Sequence, residues 1–149
     1  MPFRGLALLL IAALPLAAQP RSAATVVAEA EKTHATDSAR SLQLIDEALR
    51  IPRTAGDDPA RAQALLKKCW WSSDAAVSLA AANDGLAEAV RANDARRHAK
   101  LLSCRGNAFE NAGRFDEAIH DYTLSRVEAE KANDNETVVD ALLQGGYLG

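Results

Sequence analysis

The sequence predicts an all-α protein: a solenoid of antiparallel helix pairs, about three hairpins plus a started fourth. Three observations carry this. The tripeptide Ala-Asn-Asp occurs at 92–94 and again at 132–134, a period of 40 (132 − 92). Fixed periods of that size belong to stacked supersecondary units, none of which can bury its apolar face alone. Apolar residues recur at helical spacing, and no stretch alternates as a half-buried strand would. Finally, 48% of residues are hydrophobic but only 5% are aromatic, so Ala and Leu must build the core. Small side chains suit helices that approach closely.

The first residues stand apart from the repeats. Arg4 precedes an apolar run from Gly5 to Leu14, followed by Pro15-Leu16-Ala17-Ala18. A basic start, a short apolar stretch and a small-residue exit describe a secretory signal peptide, and the run is short for a membrane span. Cleavage after Ala18 is expected, with Ala24 as the alternative, and export to the periplasm follows. Arg4 is the sole charge in residues 1–18, so the mature chain would carry −4 where the whole carries −3.

Residues 25–149 then form the helical repeat domain. A first helix is expected over 25–35. Asp37 caps a second, through Arg50, with Leu42, Ile45 and Leu49 as its stripe; Pro52 and Gly56 end it. Asp58-Pro59 starts a third through Trp71, since Pro loses nothing at the first helical position. Asp74 caps a fourth to about 92. A fifth spans 95–111, Gly113 turns the chain, a sixth spans 115–131, and a seventh runs from about 136 to the end. The second helices of the hairpins align: Ser41, Ser78 and Ala118; Ile45, Ala82 and Tyr122; Ala48, Gly85 and Ser125. Leu142 and Gly146 repeat Leu102 and Gly106, which begins a fourth copy without its second helix. The array is therefore expected to be the front part of a longer protein, with a final helix that frays or pairs with the same helix of a second molecule.

At these residues the chain resembles a tetratricopeptide repeat array. The third copy carries the match: Gly106 and Phe109 on its first helix, Gly113 in the turn, Ala118 and Tyr122 on its second helix. Two features depart from the family. Arg105 stands where Leu is usual, and the period of 40 exceeds the usual length of about 34. Longer copies resemble the sensory subgroup, found outside the inner membrane ahead of a diguanylate cyclase or histidine kinase domain. The resemblance implies a right-handed solenoid, and a concave groove lined by first helices that binds a protein, a peptide or a small ligand.

Carried across residue by residue, the family's groove positions are Gln63 and Trp70 on the second copy. On the third they are Lys100, Ser103, Asn107 and Glu110, and on the started fourth Tyr147. Trp70 and Trp71 sit about 100° apart on a helix and cannot share a face. Either one fills the core and the other is left exposed as an anchor, or both pack against neighbouring helices. Lys100 with Asn107 is similar to a clamp for a peptide carboxylate, but the second copy lacks the further Lys, Arg and Asn such a clamp needs.

Other functions find little support. Weakly acidic charge with no basic run argues against nucleic acid. His34, His98 and His120 lack metal-ligand spacing and are expected to be solvated or capping, so no metal or cofactor is expected. No phosphate loop or nucleophile elbow occurs, and Glu/Asp–Arg/Lys pairs such as Glu110–Arg114 read as solvated faces. Cys69 and Cys104 fall on first helices of adjacent hairpins. An oxidising compartment is compatible with a bridge. Because helix axes pack about 8–10 Å apart and a bridge needs Cα atoms within about 7 Å, two buried thiols are the expected state. The expected function is an exported binding module with no catalytic site. The alternative is the periplasmic sensor region of a membrane-anchored signalling enzyme whose output domain lies elsewhere.

Overall fold

The computed structural model describes residues 20–148. The chain there is all-α, with seven helices: α1 (Ala23–Thr33), α2 (Ser38–Arg50), α3 (Asp58–Trp71), α4 (Ala75–Arg91), α5 (Ala95–Asn111), α6 (Phe115–Lys131) and α7 (Asn135–Gly146). The signal peptide expected at 1–18 lies outside the described residues. Its alternative end, after Ala24, would remove Ser22, whose hydroxyl caps α1 by accepting from Thr25 N–H. It would also remove the buried Ala23. Cleavage after Ala18 would leave α1 whole.

Each helix packs on its chain neighbours, and the odd helices also touch in order, α1 on α3, α3 on α5 and α5 on α7. Among the described residues no even helix touches another even one. The odd helices thus lie closer together, and the stack bends towards them. Two core clusters result. One joins α1, α2 and α3 around Val26, Leu44 and Ile45. The other joins α3, α4 and α5 around Leu65, Leu86 and Leu101, and Leu49 packs against both.

All nine positions aligned between the second helices are buried. Three turns explain the period. Asn93, Gly113 and Asn133 all have positive φ (51°, 73° and 53°). Each follows the C-cap residue of one helix and precedes the N-cap residue of the next. In each turn the following residue's N–H reaches five residues back: Asp94 to Ala89, Arg114 to Phe109, Asp134 to Ala129. This is the Schellman closure, which favours Gly or Asn at the left-handed position. In the two Ala-Asn-Asp turns the Asp carboxylate then caps the next helix, accepting from Arg97 N–H and Thr137 N–H.

Three boundaries differ from expectation. α1 starts at Ala23 because Ser22 supplies a cap. Asp58 is the first helical residue rather than the cap; Asp57 precedes it, and its carboxylate closes the loop by accepting from the Thr54 N–H and hydroxyl, each at 2.7 Å. α7 ends at Gly146. The 37-residue step between Ser41 and Ser78 (78 − 41) comes from helix length: α3 has 14 residues against 17 in α5, while both are followed by three-residue connections.

Ala118 is fully buried and His120 exposed, two residues and about 200° apart on α6. Ala118→Trp is therefore expected to cost about 1–3 kcal/mol by overpacking, with His120→Trp close to neutral. Urea unfolding curves of the two variants check this; equal losses would contradict the assignment of faces.

Candidate functional site

The signature residues of the third copy act structurally. A Cβ built on Gly106 would come within 2.7 and 2.8 Å of the Tyr122 ring and 3.3 Å of the Ala118 carbonyl oxygen, so only glycine lets α5 and α6 meet there. Tyr122 is buried and its hydroxyl donates to Glu110 Oε2 at 2.8 Å. Burial first, and then this carboxylate, push its pKa well above the ordinary phenol value. Phe109 lies under the Arg114 guanidinium, at 4.4 Å.

On the odd-helix face α3, α5 and α7 enclose a cavity of about 340 Å³, lined among others by Gln63, Leu66, Lys67, Trp70, Lys100, Ser103, Glu136 and Asp140. Of the expected groove residues, the structure brings Gln63, Trp70, Lys100 and Ser103 together here. It does not bring Asn107, Glu110 or Tyr147. The cavity crosses the helices obliquely, from the C-terminal end of α3 to the N-terminal half of α7, so positions further along α5 fall outside it. Asn107 accepts from Asn111 Nδ2 at 3.1 Å, Glu110 is taken by Tyr122, and Tyr147 stands 85% exposed just past the end of α7. With Asn107 turned to Asn111, no carboxylate clamp is formed with Lys100.

The tryptophans separate. Trp70 is 40% exposed at the cavity. Trp71 also borders it, but packs on the first core cluster and stacks on His34, with ring centroids 3.9 Å apart and planes 7° from parallel. His34, expected to be solvated or capping, is the C-cap residue of α1, its N–H donating to the Ala30 carbonyl oxygen, and its ring lies between that indole and Ser41 Oγ, 3.0 Å from Nδ1. Helix packing left a flat aromatic face beside α1, and the imidazole covers it.

Cavity charges balance. Lys67 pairs with Glu31 at 3.2 Å, and Lys100 lies 3.7 Å from Glu136 and 4.0 Å from Asp134. Burial would raise the Asp134 pKa, but hydrogen bonds from Thr137 and the charges of Lys100 and Arg96 outweigh it and hold the carboxylate below its ordinary value. Gln63 is fixed at both ends of its amide: it donates to Glu31 at 2.6 Å and accepts from Arg97 at 2.8 Å. Ser103 donates to Gln144 at 2.9 Å, tying α5 to α7. A rim with one exposed indole, two ammonium groups and two carboxylates can hold a polar ligand with an apolar face. Among the described residues no three His, Cys, Asp or Glu side chains are placed to hold a metal ion.

Cys69 and Cys104 form a disulfide, which corrects the expectation of free thiols. The axis spacing misled: Cα atoms that face each other lie about 2.3 Å inside each axis, so axes 8–10 Å apart leave them within reach. Here the Cα atoms are 6.3 Å apart. The bridge joins α3 to α5 directly behind Trp70 and Ser103.

Sequence reasoning also missed several charged residues. Arg105 grips the buried Asp121 with both branches of its guanidinium, Nε to Oδ2 at 2.6 Å and Nη2 to Oδ1 at 2.9 Å. A third bond reaches Asn83 on α4 at 3.0 Å. The buried Glu88 accepts from Arg53 at 2.5 and 3.1 Å, with Arg61 3.7 Å and Arg91 3.9 Å away. Burial would raise its pKa, yet Arg53 and the charges around it hold it low. On the cavity rim, Asp140 was legible as one period beyond Lys100 (140 − 100 = 40); Lys67, one period before Asn107, was too.

No family model matches the chain, and no curated protein or solved structure matches it either.

Proposed function

We propose that this chain is a tetratricopeptide-like binding module that docks a short peptide segment or a small ligand of similar chemistry in the α3–α5–α7 cavity. One observation carries the reading: a cavity of about 340 Å³, within the usual range for ligand pockets, presents the half-exposed Trp70 among charges that cancel. An indole supplies contact area at little entropic cost, and Lys100 and Asp140 offer one charge of each sign. A zwitterionic peptide end or amino-acid-like ligand suits that set.

Titration of the protein with a mixed tripeptide library, followed by the two indole N–H resonances, tests this. The Trp70 signal should move with saturation, and Trp70→Ala should weaken binding at least about tenfold, as loss of an anchor does, while leaving the melting temperature nearly unchanged. Movement confined to α4 and α6 would overturn the reading.

Export to the periplasm is part of the same proposal, and the Cys69–Cys104 bridge supports it, since such bridges persist in oxidising compartments. Thiol titration of the chain taken from the producing cell is the check; two free cysteines would remove that support. In this setting the module would serve as the input region of a signalling enzyme, a diguanylate cyclase or histidine kinase. The 40-residue copies favour that over a free-standing adaptor. Among the described residues no helix is long and apolar enough to cross a membrane.

A further inference from the structure

Two groups in the α3–α5–α7 cavity lack a partner that their neighbours have. The first is a carboxylate. Lys67 is held by Glu31 at 3.2 Å, and Lys100 by Glu136 at 3.7 Å and Asp134 at 4.0 Å. Asp140 also lines the cavity, one turn after Glu136 on α7. Among the described residues no Lys, Arg or His pairs with it. The second is an indole. Lys67 Nζ lies 5.5 Å from the centre of the Trp71 ring, which also stacks on His34. Among the described residues no Lys or Arg lies over Trp70, which is 40% exposed. Both cations of the cavity are thus already taken, and one carboxylate and one ring are left over.

The charges around the cavity point the same way. The four that line it cancel, but the lysines' other partners, Glu31 and Asp134, bring four carboxylates to two ammonium groups. At the start of α5, Arg97 pairs with Asp94, and Arg96 donates to the Ala132 and Asn133 carbonyl oxygens. With Arg96 counted, four negative charges still face three positive ones. A concave site focuses such an excess. An incoming carboxylate must compete with Glu31, Glu136 and Asp134 for the lysines. An incoming ammonium meets an unpaired carboxylate and an open ring.

We propose that the cavity recognises its ligand through an aliphatic ammonium group, bound by Asp140 and set against the face of Trp70. The inference rests on the cavity being a ligand site and names the group that the site selects. A carboxylate gives an ammonium charge-assisted hydrogen bonds, and the indole face is the best aromatic surface for a cation. One cavity of about 340 Å³, at the small end for ligand pockets, holds both, so one short ligand spans them. A peptide's free amino terminus and a small amine both carry the group. A carboxylate clamp would take the opposite end of a peptide.

The full chain, followed by its two indole N–H resonances, is titrated with four probes: a mixed tripeptide library free of Lys and Arg, the same library N-acetylated, the same library C-amidated, and n-butylamine. The free and C-amidated libraries should move the Trp70 signal equally well, and N-acetylation should weaken binding about tenfold or more, as loss of a charge-assisted bond does. Asp140→Asn should weaken the free library by a similar factor and the N-acetylated one little. Asp116→Asn, the same charge change on α6, should alter neither. Should Asp140→Asn lower the melting temperature, the masked libraries decide alone. Butylamine binding as tightly as the library assigns the site to small amines; weaker binding assigns it to peptide amino termini. Equal binding of the N-acetylated library, or loss on C-amidation instead, overturns the ammonium assignment and leaves the cavity a ligand site. If no probe moves the Trp70 signal, that reading of the cavity falls too.

Discussion

Arg105→Ala is expected to destabilise the protein by about 3–5 kcal/mol, the range for breaking a buried ion pair from one side. Asp121 is 1% exposed, and its two carboxylate oxygens are both held by Arg105. Removing the guanidinium strands the carboxylate between α5 and α6 and frees Asn83 on α4, so three helices lose their common tie. The pair itself is not required for packing. One period earlier, positions 65 and 81 are Leu and Ala, and both are buried. Arg105→Leu combined with Asp121→Ala would copy that arrangement, and replacing a buried pair by apolar residues is often neutral. The double variant is expected within about 1 kcal/mol of the parent. Urea midpoints of the parent, Arg105→Ala and the double variant measure both values. A double variant as unstable as the single one would show that the charges, and not their imbalance, hold the helices.

Loss of the disulfide is expected to be nearly as costly. Cys69 and Cys104 are 35 residues apart, and a closed loop of that size removes about 3–4 kcal/mol of chain entropy from the unfolded state. Cys69→Ala with Cys104→Ala should lower the melting temperature by more than 10 °C, taking about 3–5 °C for each kcal/mol in a domain of this length. Thiol reduction of the parent should reproduce most of that drop. Both cysteines are at most 2% exposed, so reduction should need partial opening and proceed slowly in the native protein. Rapid reduction without loss of stability would contradict the burial.

How far the sequence could be read depended on which side of a contact carried the bulk. The third hairpin was legible because Gly106 and Tyr122 put a void and a ring in recognisable places. In the second hairpin the corresponding residues are Leu66 and Ala82, both buried in one cluster. The volume is conserved but the sizes are exchanged, so residue type alone does not align these first helices. The faces of the second helices survived this because Ser, Ala and Gly there are set by the closeness of the crossing. Part of the cavity was readable for a different reason: Gln63, Trp70, Lys100 and Ser103 fall at the groove positions that the resemblance implies. The oblique course of the cavity, which excludes Asn107 and Glu110 and recruits Glu136, depends on the relative tilt of α3, α5 and α7. No local pattern encodes that tilt. The ion pair was hidden by its partner's spacing: Arg105 was visible as an anomaly, but nothing linked it to an Asp 16 residues on.

The left-handed residues Asn93, Gly113 and Asn133 fall 20 residues apart (113 − 93, 133 − 113), with the same backbone closure at each. The module being iterated is thus a single helix with its turn, and a hairpin is two of them. This gives the chain a parity. Splicing at two successive turns removes one module, leaves both joints geometrically sound, and reverses the direction of everything downstream. Helices that had faced the cavity would then line the back. Splicing at alternate turns preserves direction and face and shortens the array by one step. Growth or loss in a lineage built this way is free in backbone terms at every 20 residues, but only even counts keep a binding surface continuous.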